Sequence, residues 1–481
     1  MTPGLGRRPR GRRRHVVVVG GGVSGLAAAY YLSRAARRDM RVTVLDKAPV
    51  LGGHLRTAEV AGVPVDVGAE SLLNRRPEAV GLARAVGLGD DIVHPARVDA
   101  GLWTRGSLVA LPGRTVMGVP ADTSTLSAVL DPDEAAVVAA EPDLPGMPLP
   151  TGADVAIGRF VADRMGRAVV DRLVEPLLAG VYAGHADELS LAATVPALAA
   201  ASARHRSLVA AAASVLADEP GTDVPVFAGI RGGVGRLPAA IAAASGADLR
   251  TGVTVRGLAR MPYGWRIQTG PAARPEAIDA DAVIVAVPAV PAARLLRDAA
   301  PAVSAGLAGL EYASVAVVTI ALPSSALPAV PAWSGFLVPP VDGRIIKAVT
   351  LSSVKWPWLG AAAGDLVVLR ASVGRHGSVA DLQREDGELA DLMLAELAVA
   401  LGVTGRPVDW TVTRWGGALP QYTVGHLERM SRVAAAAAAL PGLALCGAAY
   451  AGVGIAACVA AAQQAAAGIL DGFGLVPVSE A

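Results

Sequence analysis

The stretch His15-Val16-Val17-Val18-Val19-Gly20-Gly21-Gly22-Val23-Ser24-Gly25-Leu26-Ala27-Ala28-Ala29 decides the fold. Four β-branched residues in a row predict a strand buried on both faces. The glycines then match G-x-G-x-x-G, and small residues follow on a helical pattern to about Arg38. Each glycine has a reason: Gly20 for the tight turn, Gly22 for close approach of the backbone to a pyrophosphate, Gly25 for helix–strand contact. The helix N-terminus offers free N–H groups and a positive dipole end to phosphates. A second strand over Val42–Asp46 ends on an acid about 20 residues past the last glycine, where it can accept both ribose hydroxyls. The alternative, a tight turn with no ligand, leaves the strand, helix and acid together unexplained. The unit predicts a dinucleotide site, and the acid argues against a 2′-phosphorylated ligand.

Working outward, Leu51-Gly52-Gly53-His54 brings a second glycine pair towards the same pyrophosphate, beside Asp46 and Lys47. Val65-Asp66-Val67-Gly68-Ala69-Glu70-Ser71 adds another small-residue turn after a short strand. Far downstream, Cys446-Gly447-Ala448 ends a strand and Gly452-Val453-Gly454-Ile455 opens a helix. A helix N-terminus there suits the pyrimidine side of a flavin, where negative charge builds on two-electron reduction. That favours FAD over NAD.

At 481 residues the chain is expected to hold two or three domains. The pattern is α/β with α+β insertions. Residues 15–80, 216–295 and 411–475 are expected to assemble one Rossmann-like nucleotide-binding domain. Residues 81–215 form a helical domain and 296–410 a sheet-rich substrate domain. Within the helical region, Asp131–Pro150 reads as a surface loop, and Asp154 as the N-cap before an apolar face on Ile157, Phe160, Val161 and Met165. Residues 249–255 read as a strand. Residues 1–14, with Arg7, Arg8, Arg10, Arg12, Arg13 and Arg14, read as a solvated, disordered basic tail, since the four valines that follow are too short for a signal-peptide core.

A net charge of +1 argues against general binding to nucleic acid. Two cysteines and scattered histidines give no metal spacing and no disulfide framework, which fits a reducing cytoplasm. The uncharged stretch from Val433 to Leu470 is long enough for a membrane span, but Pro441-Gly442 and several glycines interrupt it, so a strand, a turn and a buried helix are expected.

Three segments carry a resemblance. Leu173-Val174-Glu175-Pro176-Leu177-Leu178-Ala179-Gly180-Val181-Tyr182-Ala183-Gly184, continuing to Leu189-Ser190-Leu191, is similar to a "P-L-x-x-G-V-Y-A-G … L-S-L" pattern. Arg414-Trp415 with Leu419-Pro420-Gln421-Tyr422-Thr423-Val424-Gly425-His426 is similar to "R-W … L-P-Q-Y-x-V-G-H". Gly447–Ile455 resembles "G-x-x-Y-x-G-V-G-I". The chain thus resembles the flavin-dependent porphyrinogen oxidases of haem biosynthesis, over almost its whole length after residue 14. Amine oxidases and carotene desaturases share the glycine motifs but not these segments. The resemblance implies a fold of the amine oxidase/protoporphyrinogen oxidase type with FAD held by Gly20, Gly21, Gly22, Val23, Ser24, Gly25, Asp46, Lys47, His54, Gly68, Ala69, Glu70, Ser71, Val253, Trp415, Ala448, Val453, Gly454 and Ile455. Ala456-Ala457 stand where many relatives have Pro-Asp, and Ala448 where an Asn is common, so the backbone cradle is kept and side-chain contacts there are in question.

The implied reaction removes six electrons from a porphyrinogen in three hydride transfers to the flavin, which dioxygen reoxidises to give hydrogen peroxide. No side chain is assigned as general base; the cofactor carries the chemistry. Propionates call for basic groups at the rim of an apolar pocket: Arg75 and Arg76 are the candidates, with Lys347 and Lys355 behind them. The wording is closest to soluble enzymes of Gram-positive, actinobacterial type, which implies coproporphyrinogen III as substrate, with protoporphyrinogen IX second. An amine oxidase or desaturase, and a non-catalytic binder of flavin or haem precursors, stay open, as do peripheral membrane contact and hand-over of product to the next haem-pathway enzyme.

Overall fold

A computed structural model describes residues 13–36, 39–218 and 225–475. Most of the expected basic tail lies outside these residues. Arg14, however, opens the first strand, Arg14–Val19, pairs with Asp281 at 3.9 Å and lies over the ring of Phe473. Pairing to a buried carboxylate and an aromatic face takes it out of the tail.

The nucleotide-binding sheet is parallel and five-stranded, in the order Asp248–Arg250, Met40–Leu45, Arg14–Val19, Ala282–Val285, Leu443–Leu445. Successive side chains of a strand point to opposite faces, and the valines divide accordingly. Val16 and Val18 enter a core with helices Val23–Ala36, Arg236–Ser245 and Ile455–Gly472. Val17 and Val19 enter another with Ala289–Leu296, Pro301–Ala308 and His426–Ala438. Ala27, Ala28 and Ala29 are fully buried and let helix Val23–Ala36 lie close to helix Ile455–Gly472. That last helix is the one described helix long and apolar enough to cross a membrane, and eleven of its eighteen residues are buried inside the protein. The strand expected over 249–255 is only Asp248–Arg250, because the chain turns away at Gly252 (φ +68°) to bond the Val253 N–H to the Asp46 carbonyl.

The second sheet has seven strands, in the order Asp409–Pro420, Tyr312–Pro323, Leu366–Val373, Ile346–Thr350, Gly335–Leu337, Gly101–Thr104, Ser107–Ala110. Helix Asp386–Leu401 covers one face, burying Leu389, Met393 and Leu397 against Val318, Ile320, Leu369 and Ala371. The hairpin over 101–110 falls in a region expected to be helical. Its Arg105-Gly106 turn has both residues at positive φ (52° and 78°), the geometry of a two-residue hairpin.

The helical region differs from expectation at two more places. Asp131–Pro150 is not all loop: helix Pro132–Ala140 starts in a capping box in which Asp131 accepts from the Glu134 N–H and Glu134 from the Asp131 N–H, with Pro132 at the first helical position. Only Val138 of that helix is buried, which is why no apolar period announced it. Asp154 caps no helix. Its carboxylate accepts from Ser190 Oγ at 2.5 Å and from the Gly425 N–H at 2.6 Å, linking segments far apart in sequence.

Candidate cofactor site

The parallel strands deliver their C-terminal ends to one edge, and the glycine turns gather there. Gly20 has φ +112°, and a Cβ on it would lie 2.6 Å from the Ala286 carbonyl oxygen. A Cβ on Gly25 would lie 1.8 Å from the Gly20 carbonyl oxygen, so helix and strand touch only because that position is glycine. At Gly22 nothing stands within 4 Å, which leaves backbone open to a ligand at the N-terminus of helix Val23–Ala36. Asp46 closes the turn: one carboxylate oxygen accepts from the Gly21 N–H at 2.5 Å, the other from the Ala48 N–H at 2.7 Å. An ionised carboxylate has further acceptor capacity for ribose hydroxyls. Lys47, next along, is exposed. The Val253 amide lies against the same strand end.

The second glycine pair sits against the first. The Gly52 N–H bonds the Gly21 carbonyl at 2.8 Å, and a Cβ on Gly53 would be 3.4 Å from the Gly22 Cα. His54 leads to the next turn: its carbonyl accepts from the Ala69 N–H, and a Cβ on Gly68 would approach it to 1.9 Å. Trp415 stands beside them, its indole N–H donating to the Val67 carbonyl at 2.9 Å and its ring edge-to-face with His54 at 5.2 Å.

Glu70 and Ser71 end this turn, and what holds them was not foreseen. The Glu70 carboxylate accepts from Lys355 at 2.5 Å and Arg370 at 2.6 Å; Lys355 also reaches Ser71 Oγ at 3.3 Å, and Arg370 the Gly68 carbonyl at 2.5 Å. Burial works against the Glu70 charge, but the two cations outweigh it and hold the carboxyl at about 2. Lys355 is therefore a clamp on the Gly68–Ser71 turn, with its charge already matched. Its one sequence signal was a lysine in a lysine-poor chain, and for Arg370 a lone cation inside the apolar strand Leu366–Val373.

The C-terminal turn completes the edge. Helix Ile455–Gly472 starts after Gly454, and its first N–H groups have no intrahelical acceptor. Nothing stands within 4 Å of a Cβ on Gly447 or Gly454. Tyr422 holds the turn's shape: its hydroxyl donates to the Ala448 carbonyl at 2.6 Å and accepts from the Gly452 N–H at 2.8 Å. Its ring stacks on His426 at 3.8 Å. The segments at 173–191 and 414–426 meet here. The Ser190 N–H bonds the Tyr422 carbonyl, Gln421 donates to the Tyr182 carbonyl at 2.9 Å, and Asp154 ties Ser190 to Gly425. Ala456 and Ala457 are buried, so the helix presents backbone alone.

Asp46, the open backbone at Gly22 and the helix start after Gly454 lie along one edge of the parallel sheet. The family model for flavin-containing amine oxidoreductases matches residues 23–470. A coproporphyrinogen III oxidase of Mycobacterium tuberculosis (strain ATCC 25618 / H37Rv) is 36% identical over 458 residues, 95% of this chain and 98% of that protein. The chain belongs to the coproporphyrinogen III oxidase family of flavin-containing amine oxidoreductases. A second family member, from Mycobacterium leprae (strain TN), is 38% identical over 455 residues, covering 94% and 97% of the two chains. A protein from Exiguobacterium sp. 255-15, assigned as a protoporphyrinogen oxidase, has a crystal structure that matches with a TM-score of 0.84 and 31% identity over 95% of this chain and 99% of its own. The chain is an oxidoreductase, and FAD is its cofactor.

The candidate substrate cations of this family member have different surroundings. Arg75 is exposed. Arg76 is exposed too, and its guanidinium forks onto Glu78 at 2.5 and 3.3 Å. Lys347 is only 4% exposed, beside Arg375. Among the described residues no cluster of three or more His, Cys, Asp or Glu side chains could hold a metal.

Proposed function

We propose that the enzyme oxidises coproporphyrinogen III to coproporphyrin III, taking three dioxygen and releasing three hydrogen peroxide per macrocycle. The observation that carries the reading is the interlock of the segments at 173–191 and 414–426 over the turn at Ala448–Gly452. These segments, which resemble those of porphyrinogen oxidases, would shape the cofactor edge next to the helical region. When bound, FAD supplies the hydride acceptor and its reoxidation by dioxygen. The chain's own part is to bind and to orient. Gly20, Gly22 and the helix starting at Val23 would take the pyrophosphate, with Gly21, Ser24 and Gly25 completing the turn. Asp46 would take the ribose, beside Lys47 and the backbone of Val253. His54, Gly68 to Ser71 and Trp415 would flank the ring system, with Ala448 and Val453 to Ile455 at its pyrimidine end.

Arg75 and Arg76 would meet propionates at the rim, with Arg76 first leaving Glu78; Lys347 is taken up below. Free, buried thiols at Cys446 and Cys458 support a cytoplasmic setting. A protoporphyrinogen oxidase of Bos taurus, 30% identical, keeps protoporphyrinogen IX as the second reading. One paired assay decides. The purified protein should show flavin absorbance and convert coproporphyrinogen III to a fluorescent porphyrin, consuming dioxygen, faster than protoporphyrinogen IX and faster than an enzyme-free blank. A flavin-bound protein that turns over neither would refute the proposal, and a reversed preference would move it to the second substrate.

A further inference from the structure

The clamp on the flavin-side turn marks one face of the seven-stranded sheet. On strand Leu366–Val373, Arg370 reaches Glu70 and Gly68, while Leu369, Ala371 and Val373 enter the core under helix Asp386–Leu401. Alternation puts Ser372 on the face of Arg370, and Ser372 is the register partner of Ala348. The register slips between Ile346 and Ala348. Ile346 and Val349 both enter the apolar core although three residues apart, so the slip leaves Lys347 and Ala348 for the opposite face, that of Arg370. At about 3.3 Å per residue this places Lys347 roughly 7–10 Å along the sheet from the Arg370 position. Helix Glu175–Tyr182, part of the segment that braces the flavin-capping turn, packs over strands Ile346–Thr350 and Gly335–Leu337 at this point.

Lys347 is 4% exposed, and among the described residues its ammonium has no hydrogen-bond or ion-pair partner. Its charged neighbour is a second cation. Arg375 gives Nη2 to the Val338 carbonyl at 3.1 Å, while its Nε is buried with no acceptor. Two carboxylates act on Arg375 from further off, and both are engaged elsewhere: Glu175 by His185 and the Ala186 N–H, Glu396 by the Ile345 and Ile346 N–H groups. An ammonium this far withdrawn from water, with no counter-ion, is costly, and a carboxylate that reached it would offset that cost.

We infer that Lys347 and Arg375 form an internal seat for one carboxylate of the substrate, a propionate of the porphyrinogen, distinct from the exposed Arg75 and Arg76. The inference rests on the porphyrinogen reading of the site. Burial pushes the Lys347 amine down to about 7, so the empty seat is readily discharged and takes up a proton when a carboxylate arrives. A seat of this kind favours a macrocycle with four propionates over one with two, because more orientations in the pocket bring a carboxylate to it.

The test is Lys347→Met, which keeps the volume and removes the charge, so folding is not at risk. Turnover of coproporphyrinogen III and of its uncharged tetramethyl ester is measured for both proteins, with Lys347→Arg as rescue. Affinity for the product coproporphyrin III is read separately by absorbance titration. Loss of one charge-assisted hydrogen-bonded contact predicts kcat/KM for the acid falling about 10- to 100-fold, mostly through KM. The loss for the acid should exceed that for the ester at least ten-fold, and Lys347→Arg should restore most of it. Equal effects on acid and ester, or none on either, overturn the seat. If the flavin-bound wild type oxidises no porphyrinogen, the proposed reaction fails. The titration then decides the seat alone: wild type and Lys347→Met binding coproporphyrin III equally, or neither binding it, overturns it.

Discussion

Glu70→Gln keeps the shape of a side chain that spans two parts of the molecule and removes the charge they share. The Glu70 carboxyl belongs to the Gly68–Ser71 turn, whereas Arg370 belongs to the seven-stranded sheet and Lys355 to the short helix Ser352–Lys355 beside it. Burial disfavours its ionised form, yet Lys355 at 2.5 Å and Arg370 at 2.6 Å lower it from 4.5 to about 2. A displacement of that size corresponds to about 3 kcal/mol of stability at neutral pH. The folded value lies below the unfolded one. The contribution is therefore fully present above about pH 4.5 and is lost as pH falls from there towards about 2. Glu70→Gln should lower the urea midpoint for loss of bound flavin, by an amount equivalent to about 3 kcal/mol at pH 7. The gap to wild type should narrow as the pH is lowered below 4.5. Flavin fluorescence, quenched when bound, follows release directly, and circular dichroism follows the fold. A difference below about 0.5 kcal/mol at pH 7, the size of an ordinary exposed ion pair, would refute the reasoning. So would a gap that stays constant between pH 5 and pH 3.

Three further outcomes follow from the same geometry. Tyr422→Phe leaves the Ala448 carbonyl and the Gly452 N–H without their shared partner and should weaken FAD binding about ten-fold, from the ~1–3 kcal/mol cost of unsatisfied buried groups; an unchanged Kd by fluorescence titration would count against the brace. Gly25→Ala forces a Cβ to within 1.8 Å of the Gly20 carbonyl and should yield protein without flavin absorbance, whereas Gly22→Ala, with nothing within 4 Å, should fold normally and lose affinity for FAD alone. Lys347→Met should stabilise the protein. The folded-state value for the amine, about 7, lies below the ordinary 10.5, so the penalty is full below pH 7 and fades as pH rises to 10.5. The gain should be about 4 kcal/mol at pH 7 and smaller at pH 9, measured by denaturant unfolding.

What the sequence disclosed and what it hid divide by range. The Val16–Val19 strand, its glycines and Asp46 lie within one local unit whose conformations the residues themselves impose, and so the nucleotide edge was legible. Helix Pro132–Ala140 buries only Val138, so its one sequence signal is the capping box at Asp131 and Glu134. The hairpin over 101–110 is short, and its sheet neighbour Gly335–Leu337 lies more than 200 residues later. Asp154 has the composition of an N-cap, but Ser190 and Gly425, 36 and 271 residues away, claim it. The clamp on Glu70 joins residues separated by 285 and 300 positions. Local propensity carries no trace of such pairings, because ionic partners are chosen by the tertiary fold.

The basic residues make the point most sharply, since sequence could rank them only by proximity to a motif. Sorted by counter-ion, they reorder. Lys355 and Arg370 spend their charge on Glu70, and Arg76 shares its own with Glu78 at the surface. Exposed, partnered cations are cheap to keep and so say little about ligands. Lys347 is buried and Arg375 half-buried, with its Nε enclosed, and the carboxylates that act on Arg375 are turned to backbone N–H groups and His185. Among the described residues no carboxylate pairs with either of them. On the seat proposed above, a macrocycle with carboxylates on its edge, lying over the face of Arg370, would supply the missing charge. Selectivity among porphyrinogens would then rest on how many carboxylates can reach that seat, and substitutions at the glycine turns should leave it unchanged.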